Sequence, residues 1–130
     1  ERTAEELKIT LGSASIEKAQ GSMQVRGRDM VTGLPRVVEV PAKEIAVAMS
    51  EIIHQILDAV KDVLEQTPPE ISADVIDHGI VLTGGGAMLR HLAEMISKET
   101  QVPAFVANDP LDCVALGTGA ILANPSLMKK

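Results

Sequence analysis

Aromatic side chains are almost absent from the sequence, in which Phe105 is the single example and Trp and Tyr do not occur. Because single-stranded nucleic acids are held by stacking bases on aromatic rings, this scarcity excludes aromatic stacking as a binding mode. The hydrophobic fraction is still 45%, so the core has to be built from Ile, Val, Leu, Met and Ala. A chain of 130 residues is long enough for one compact core, or for two small lobes that share one.

Positive charge is also scarce, since the sequence contains 12 Lys and Arg but 18 Asp and Glu, which gives a formal net charge of −6. Binding to nucleic-acid phosphates or to anionic lipid needs a surplus of Lys and Arg, so the composition argues against both partners. The single Cys113 excludes an internal disulfide, and neither a signal peptide nor an apolar run of transmembrane length is present. These absences together predict a protein of the reducing cytoplasm.

The first residues read as a helix that is already under way, ERTAEELKITLGSA. Thr3 and Glu6 have the spacing of a capping box, and Leu7 and Leu11 recur one turn apart, so the helix is expected to reach Gly12. A natural amino terminus rarely has this appearance. We therefore expect the chain to be a fragment of a larger protein.

The next segments change their hydrophobic period at Pro41. Before it, SMQVRGRDMVTGLPRVVEV alternates apolar and polar residues around a TGLP turn, which predicts a β-hairpin. After it, a three- and four-residue spacing predicts a long amphipathic helix at about residues 42–66, ended by QTPPE. The apolar residues that define the stripe of this helix are Ile45, Met49, Ile52, Ile53, Ile56, Leu57, Val60, Val63 and Leu64.

The last 50 residues alternate between strand and helix patterns. Strands are predicted at 80–82 and 104–106, and helices at 87–99 and 111–122. Ser72 is expected to cap a short helical turn before this unit. Strand, helix, strand, helix in this order predicts an α/β fold with parallel strands and right-handed crossovers.

Three consecutive glycines, Gly84, Gly85 and Gly86, follow the first of these strands in GIVLTGGGAML. Each glycine costs backbone entropy on folding, so a run of three favours a close approach to the backbone. A strand that passes through glycines into a helix presents free N–H groups and suits a phosphate or the flat face of a nucleotide. The segment matches neither the P-loop nor the GxGxxG pattern. Taken as an isolated run of glycines, it is better explained as a tight corner without a ligand.

Four stretches, in the same order, resemble the MreB family of bacterial actins: ERTAEELKITLGSA, RGRDMVTGLPR, LEQTPPEISADVIDHGIVLTGGGAMLRHL and NDPLDCVALGTGAIL. The resemblance covers almost the whole chain and implies an α/β, actin-like ATPase fold, with two lobes around an ATP cleft. Only the second half of that fold is implied. Residues 1–50 resemble its small outer subdomain, a helix plus a β-hairpin, and residues 51–130 resemble the nucleotide-binding part of its large inner subdomain.

The same resemblance implies two walls of an adenosine site. The glycine loop would lie along adenine and ribose, and carboxylates of the first helix would accept hydrogen bonds from ribose hydroxyls while a lysine stem covers the base. Without the resemblance, the EELK segment reads as a solvated helix face. The implied nucleotide-binding residues are Glu5, Glu6, Lys8, Gly84, Gly85, Gly86 and Ala87. No catalytic or metal-binding residue is implied in this chain.

The implied function is that of a cytoskeletal filament that binds ATP or ADP with Mg²⁺ and organises cell shape and peptidoglycan synthesis at the inner face of the plasma membrane. Its implied partners are its own subunits and membrane-associated cell-shape proteins such as RodZ. The intact protein would be a slow, filament-coupled ATPase, and the fragment alone would be inactive. The alternatives are a sugar kinase or phosphatase with the same ATPase core, and a divisome or plasmid-segregation actin relative.

The remaining polar candidates receive structural interpretations. The histidines lack partners at metal-ligand spacing, and we expect His91 to lie at the surface. Cys113 is expected to pack as a small hydrophobic residue. Asp109 is expected to cap the last helix, with Pro110 at its first position. The other two histidines are His54 and His78.

Overall fold

The computed structural model of the chain describes residues 1–124 and residue 126. Its elements are α1 (Arg2–Leu11), β1 (Ser22–Arg28), β2 (Pro35–Pro41), α2 (Ala42–Gln66), α3 (Pro69–His78), β3 (Ile80–Leu82), a 3₁₀ turn (Gly85–Met88), α4 (Leu92–Thr100), β4 (Ala104–Val106) and α5 (Cys113–Ala123). The predicted mixture of helices and strands is thus confirmed. Over the described residues, no helix is both long enough and apolar enough to cross a membrane.

The predicted hairpin is confirmed. β1 and β2 pair antiparallel, with Ser22 opposite Pro41 and Arg28 opposite Pro35. The turn between them is closed by Asp29, whose amide donates to the carbonyl of Leu34 at 3.0 Å. The alternation is matched by burial in β1, where Met23 and Val25 are half-buried between exposed neighbours, whereas residues 35–39 of β2 are all exposed.

The predicted long helix is confirmed at the predicted boundaries, Ala42 to Gln66. Its apolar stripe is buried only in part: Ile53 and Leu57 are buried, whereas Ile52 and Val63 are exposed. Adjacent residues point about 100° apart around a helix, so a stripe that includes neighbours such as Ile52 and Ile53 is wider than a single packing contact covers.

Two clusters of buried side chains lie along α2. The first, which we call the hairpin cluster, consists of Leu11, Ala19, Ala42 and Ala46 with the half-buried Leu7, Met23 and Ile45. The second, the sheet cluster, consists of Ala14, Ile53, Leu57, Leu92 and Ile96, against which Ile80, Leu82 and Ala104 pack. α2 runs without a break through both clusters. The division into subdomains at residue 50 stays a prediction.

The predicted parallel strands are confirmed, since Ile80 lies opposite Ala104 and Leu82 opposite Val106. α4 connects the two strands and packs its buried Ile96 into the sheet cluster. The expected helix at 87–99 is wrong in its first part, because the chain forms a 3₁₀ turn and then bends before α4. The bend contains a left-handed residue, which interrupts regular helical hydrogen bonding.

Three predicted helix starts are wrong. Thr3 lies inside α1, which begins at Arg2 without a side-chain cap. Ser72 lies inside α3, since Pro69 has the fixed φ that suits the first helical position and starts the helix earlier. Asp109 has a φ of 48° and its carbonyl accepts from the amide of Asp112 at 2.9 Å. This turn delays the start of α5 to Cys113.

Candidate functional site

The glycine loop, residues 83–88, leaves the carboxyl end of β3 and forms the 3₁₀ turn. Gly84 has a φ of 81°, and its amide donates to the carbonyl of Pro110 at 2.7 Å. At the other end of the turn, Ala87 is buried and its amide donates to the carbonyl of Gly84 at 3.2 Å. The hydrogen bond to Pro110 holds the start of the loop, and the burial of Ala87 holds its end. Gly85 and Gly86, which lie between them, are exposed.

The three positions differ in whether the structure of the chain itself requires a glycine there. Gly84 needs to be glycine because of its positive φ. Gly85 and Gly86 do not: a Cβ on Gly86 would meet no described atom within 4 Å, and one on Gly85 would touch only Leu111 at 3.6 Å, an ordinary contact. Packing within the described chain thus leaves these two glycines unexplained, whereas a ligand lying on the backbone would explain them.

The amides of this turn are also available to a ligand. The first N–H groups of a helical turn have no partner within it. Across residues 1–124 and 126, the amides of Gly85 and Gly86 donate to no backbone or side-chain acceptor. An exposed backbone with free donors and no side chains suits a flat, polar ligand such as a nucleoside.

The other predicted wall, on α1, is exposed and internally paired. Lys8 Nζ lies 2.6 Å from Glu5 Oε2, and Glu6 Oε1 lies 3.5 Å from Arg2 Nε. About half of the side-chain surface of each predicted residue is accessible: 49% for Lys8, 56% for Glu5 and 52% for Glu6. Exposed pairs of this kind contribute little to stability, so these groups can exchange their partners for a ligand at small cost.

The end of α1 is tied to the segment that follows the glycine loop. The guanidinium of Arg90 donates to the carbonyl of Thr10. The amide of Ala14 donates to the carbonyl of Arg90 at 2.8 Å, next to a parallel bridge between Ser13 and Arg90. These bonds join the end of α1 to Arg90, which follows the glycine loop by two residues. Within the described part of the chain, however, no hydrogen bond or ion pair joins the predicted residues of α1 to Gly84–Ala87.

Sequence reasoning missed the residues that make this junction. Ser13 is buried, its hydroxyl donates to the carbonyl of Ser15 at 2.8 Å, and its Oγ lies 3.0 Å from His91 Nδ1. The expectation that His91 lies at the surface is wrong, because it is half-buried against Ser13 with a φ of 64°. The signal in the sequence was the run of small residues Gly12, Ser13 and Ala14, which permits a close approach of two chain segments.

A further ion pair reinforces the junction. The Lys18 ammonium donates a hydrogen bond to Glu94 and holds the pKa of that carboxyl below its usual range. A cleft of about 460 Å³ opens beside it. The cleft is lined by Leu11, Ser13, Glu17, Lys18, Ala19, Gln20, Arg90 and His91, and so by none of the seven predicted nucleotide-binding residues. The glycine loop is an open surface in this chain, as expected for one wall of a site.

The other polar candidates bond within their own elements. Nδ1 of His54 lies 2.7 Å from the carbonyl of Ser50, and Nδ1 of His78 lies 2.9 Å from the carbonyl of Asp74. Cys113 is half-buried at the start of α5. In the described residues, no three His, Cys, Asp or Glu side chains come together as a metal site would require.

Comparison with known proteins finds that the chain is similar to bacterial cell shape-determining proteins. The cell shape-determining protein Mbl of Bacillus subtilis (strain 168) is 47% identical over 130 residues, which are 100% of this chain and 39% of that protein. The crystal structure of MreB5 of Spiroplasma citri bound to ADP matches with a TM-score of 0.87 at 35% identity, over 98% of this chain and 38% of that one. MreB5 has also been crystallised with AMPPNP.

A more distant structure, the MamK double helical filament, matches with a TM-score of 0.67 at 21% identity, over 85% of this chain and 33% of that one, and shows the fold alone. These likenesses confirm the expected actin-like fold, of which the chain contains a part. It spans 39% of the length of Mbl. The model of the MreB/Mbl protein family matches residues 1–130. Since that match covers every residue, the chain belongs to the MreB/Mbl family.

Proposed function

We propose that this chain is the second half of a bacterial actin-like protein that binds ATP and ADP and polymerises into filaments that organise cell shape. The observation that carries the proposal is the open glycine loop, where Gly85 and Gly86 leave space that no described side chain fills. The relative MreB5 binds ADP and AMPPNP, which supports a nucleotide as the occupant of that space.

In this proposal the two walls have distinct tasks. Gly84, Gly85, Gly86 and Ala87 lie along the adenine and ribose, where a Cβ at the central positions would collide with the ligand. On α1, the carboxylates of Glu5 and Glu6 accept hydrogen bonds from ribose hydroxyls, and the stem of Lys8 covers the base. The hydrogen bond from Arg90 to the end of α1 supports this arrangement, because it holds the segment that follows the glycine loop next to α1.

This half of the protein binds the nucleoside and does not by itself transform the phosphates. Phosphoryl transfer depends on groups that position the phosphates, the Mg²⁺ ion and the attacking water. We assign those groups to the remainder of the protein. The chain alone is therefore expected to release no phosphate from ATP, and slow hydrolysis is expected of the complete protein.

The two buried clusters support a division of labour within the chain. We propose that residues 1–50, which include the hairpin cluster, form the small outer subdomain, and that residues 51–130 form the nucleotide-binding part of the large inner one. The filament is proposed to act in the cytoplasm, at the inner face of the plasma membrane, where it directs peptidoglycan synthesis through membrane-associated partners such as RodZ. The family match supports a filament former over the sugar-kinase alternative.

The test compares two glycines at which an added Cβ would make no contact closer than an ordinary van der Waals distance. In the full-length protein, Gly85→Val is expected to raise the Kd for ADP about tenfold or more, since overpacking costs about 1–3 kcal/mol. Gly27→Val is the control, because a Cβ on Gly27 in β1 meets no described atom within 4 Å and Gly27 lies outside the proposed site. Calorimetric titration measures both. Equal affinities in two folded variants would show that the loop is only a turn and would overturn the proposal.

A further inference from the structure

The segments that follow the two proposed walls of the nucleotide site meet each other. Residues 12–14 follow α1 directly, and residues 89–91 follow the glycine loop directly. We call these six residues the junction. Each residue of the second segment contacts the end of α1 or the residues just after it. The junction therefore links the two walls through stretches of chain that adjoin both of them.

Gly12 allows the two segments to come close together. A Cβ on Gly12 would lie 2.2 Å from the carbonyl oxygen of Lys8 and 3.0 Å from Cδ1 of Leu89. A Cβ cannot approach a backbone oxygen to 2.2 Å, so the position requires glycine although its φ of −56° is open to any residue. The missing side chain lets Leu89, the first residue after the glycine loop, pack against the end of α1.

Arg90 binds the end of α1 from two sides. Its guanidinium donates to the carbonyl of Thr10, and its own carbonyl accepts from the amide of Ala14 at 2.8 Å. The last carbonyls of a helix lack partners within the helix, and a cation near them also interacts favourably with the helix dipole. A single residue thus holds the chain both before and after the point where α1 ends.

His91 adds a buried polar contact to the junction. The hydroxyl hydrogen of Ser13 goes to the carbonyl of Ser15 at 2.8 Å, so Nδ1 of His91, 3.0 Å away, is the donor to Oγ of Ser13. The amide of Ser15 also donates to this oxygen at 3.2 Å. Every hydrogen-bonding position of the buried hydroxyl is used, and a fully satisfied polar contact favours one arrangement of the two segments.

The apolar packing of α1 is directed elsewhere. Leu7 and Leu11 pack in the hairpin cluster, which contains no residue of the glycine loop or of residues 89–91. The cleft of about 460 Å³ opens beside Arg90 and His91, so side chains do not fill that side of the junction. Hydrogen bonds therefore hold α1 next to the chain that leaves the glycine loop on this side.

We propose that Arg90 is a positioning residue of the nucleotide site, which places the α1 wall against a nucleotide lying on the glycine loop. It acts through Thr10 and α1 and does not touch the nucleotide. The proposal rests on the proposed function, because it requires a nucleotide held between the two walls. ADP binding and formation of the junction are then linked, and each favours the other by the same factor.

The first experiment removes the donors of Arg90 in the full-length protein. Arg90→Met is expected to raise the Kd for ADP about fivefold, at the low end of typical coupling between sites. Arg90→Lys keeps a cationic donor for the carbonyl of Thr10 and is expected to restore most of the affinity. Arg26→Met is the control, because Arg26 is an exposed arginine of β1 outside the proposed site. Calorimetric titration measures all three, and circular dichroism reports that each variant is folded.

A double-variant cycle separates positioning from a general loss of stability. Glu6→Ala/Lys8→Ala removes two contacts of the α1 wall and is expected to weaken ADP binding when Arg90 is present. Combined with Arg90→Met, it should weaken binding much less, since the wall is then already misplaced. An Arg90 that only stabilised the fold would leave the effect of the α1 variant unchanged. Additive effects in folded variants would therefore overturn the proposal.

The remaining outcomes separate this proposal from the proposed function. If the wild-type protein does not bind ADP, the proposed function fails and the role of Arg90 fails with it. If Gly85→Val weakens ADP binding but Arg90→Met and Arg26→Met bind alike, the proposed function stands and the role of Arg90 is overturned. An Arg90→Lys variant as weak as Arg90→Met, or an α1 variant with wild-type affinity, would overturn it as well.

Discussion

The hairpin turn and the glycine loop are both exposed connections, but they expose opposite parts of the chain. In the hairpin turn, Asp29 satisfies the amides of Val31 and Thr32, so backbone donors are used internally and apolar side chains face solvent. In the glycine loop, the side chains are missing and the amides of Gly85 and Gly86 are free across the described residues. The first loop is suited to a macromolecule, and the second to a small ligand that lies on the backbone.

The difference shows that glycine content alone does not reveal the purpose of a loop. Gly33, in the hairpin turn, has a φ of 70° and serves the conformation of the turn. Gly84 serves the same purpose in the glycine loop, with a φ of 81°. The conformation of the loop does not require glycine at positions 85 and 86, so these are the positions where a ligand has to be considered. Only the surroundings of each glycine separate the two cases.

Among the tests that compare the two loops, the largest change in stability is expected for a substitution within the glycine loop. Gly84→Ala should lower the free energy of unfolding by about 1–2 kcal/mol, because a Cβ is strained at positive φ. Gly86→Ala should change it by no more than about 0.5 kcal/mol in either direction, since its Cβ meets open space. Urea unfolding of the full-length protein measures both. Equal losses of unfolding free energy would mean that the fold also requires a glycine at position 86. Gly86 would then no longer support a ligand on the loop.

A smaller effect is expected at the other wall of the proposed site. Lys8→Ala should weaken ADP binding about threefold, because removing one exposed side chain deletes a contact and leaves the shape of the loop unchanged. Lys43→Ala is the control, since Lys43 is likewise an exposed lysine within a helix and lies outside the proposed site. Calorimetry with ADP measures both variants. Identical affinities would remove Lys8 from the site and leave the glycine loop as the wall that this chain contributes.

The smallest effect concerns pH and distinguishes the two loops directly. Hydrogen bonds from the amides of Thr32 and Val31, followed by that from Arg36, lower the pKa of Asp29 from its ordinary value of 3.8. A carboxyl with a lowered folded pKa stabilises the turn fully above pH 3.8, and its contribution is lost as the pH falls through the lower folded value. The turn should therefore be intact at pH 5.

Amide chemical shifts measured by NMR check this prediction. The amides of Val31 and Thr32 are expected to change with a midpoint below pH 3.8, and Asp29→Asn should abolish the transition. The amides of Gly85 and Gly86, which have no carboxylate acceptor among the described residues, should show no such transition. A midpoint for Val31 at or above pH 3.8 would contradict the hydrogen bonds that Asp29 accepts in the hairpin turn.

Elements with a clear hydrophobic period could be predicted from the sequence. The start of α2 follows from the change of hydrophobic period at Pro41, and its end follows from the prolines that begin at Pro68. The parallel strands β3 and β4 follow from short runs of β-branched and other apolar residues. These signals are local, because each element repeats its own pattern over several residues. The glycine loop was found for the same reason, as three adjacent residues with an unusual backbone.

Helix starts and the junction beside the site were not predictable in this way. Thr3, Ser72 and Asp109 all have the side chains of helix caps, yet none of them caps a helix. Capping depends on where the backbone turns, and a neighbouring proline or a left-handed residue decides this. His91 was misplaced because its partner, Ser13, lies 78 positions away along the chain.

The sequence by itself determined the helices and strands with regular periods, the acidic character of the chain and the presence of a glycine run after a strand, because these properties depend on neighbouring residues. Tertiary structure alone decided which glycines face open space, that Arg90 ties the end of α1 to the segment after the glycine loop, and that Met30 and Val31 remain exposed. Each of these depends on segments that are distant in the chain and meet only after folding.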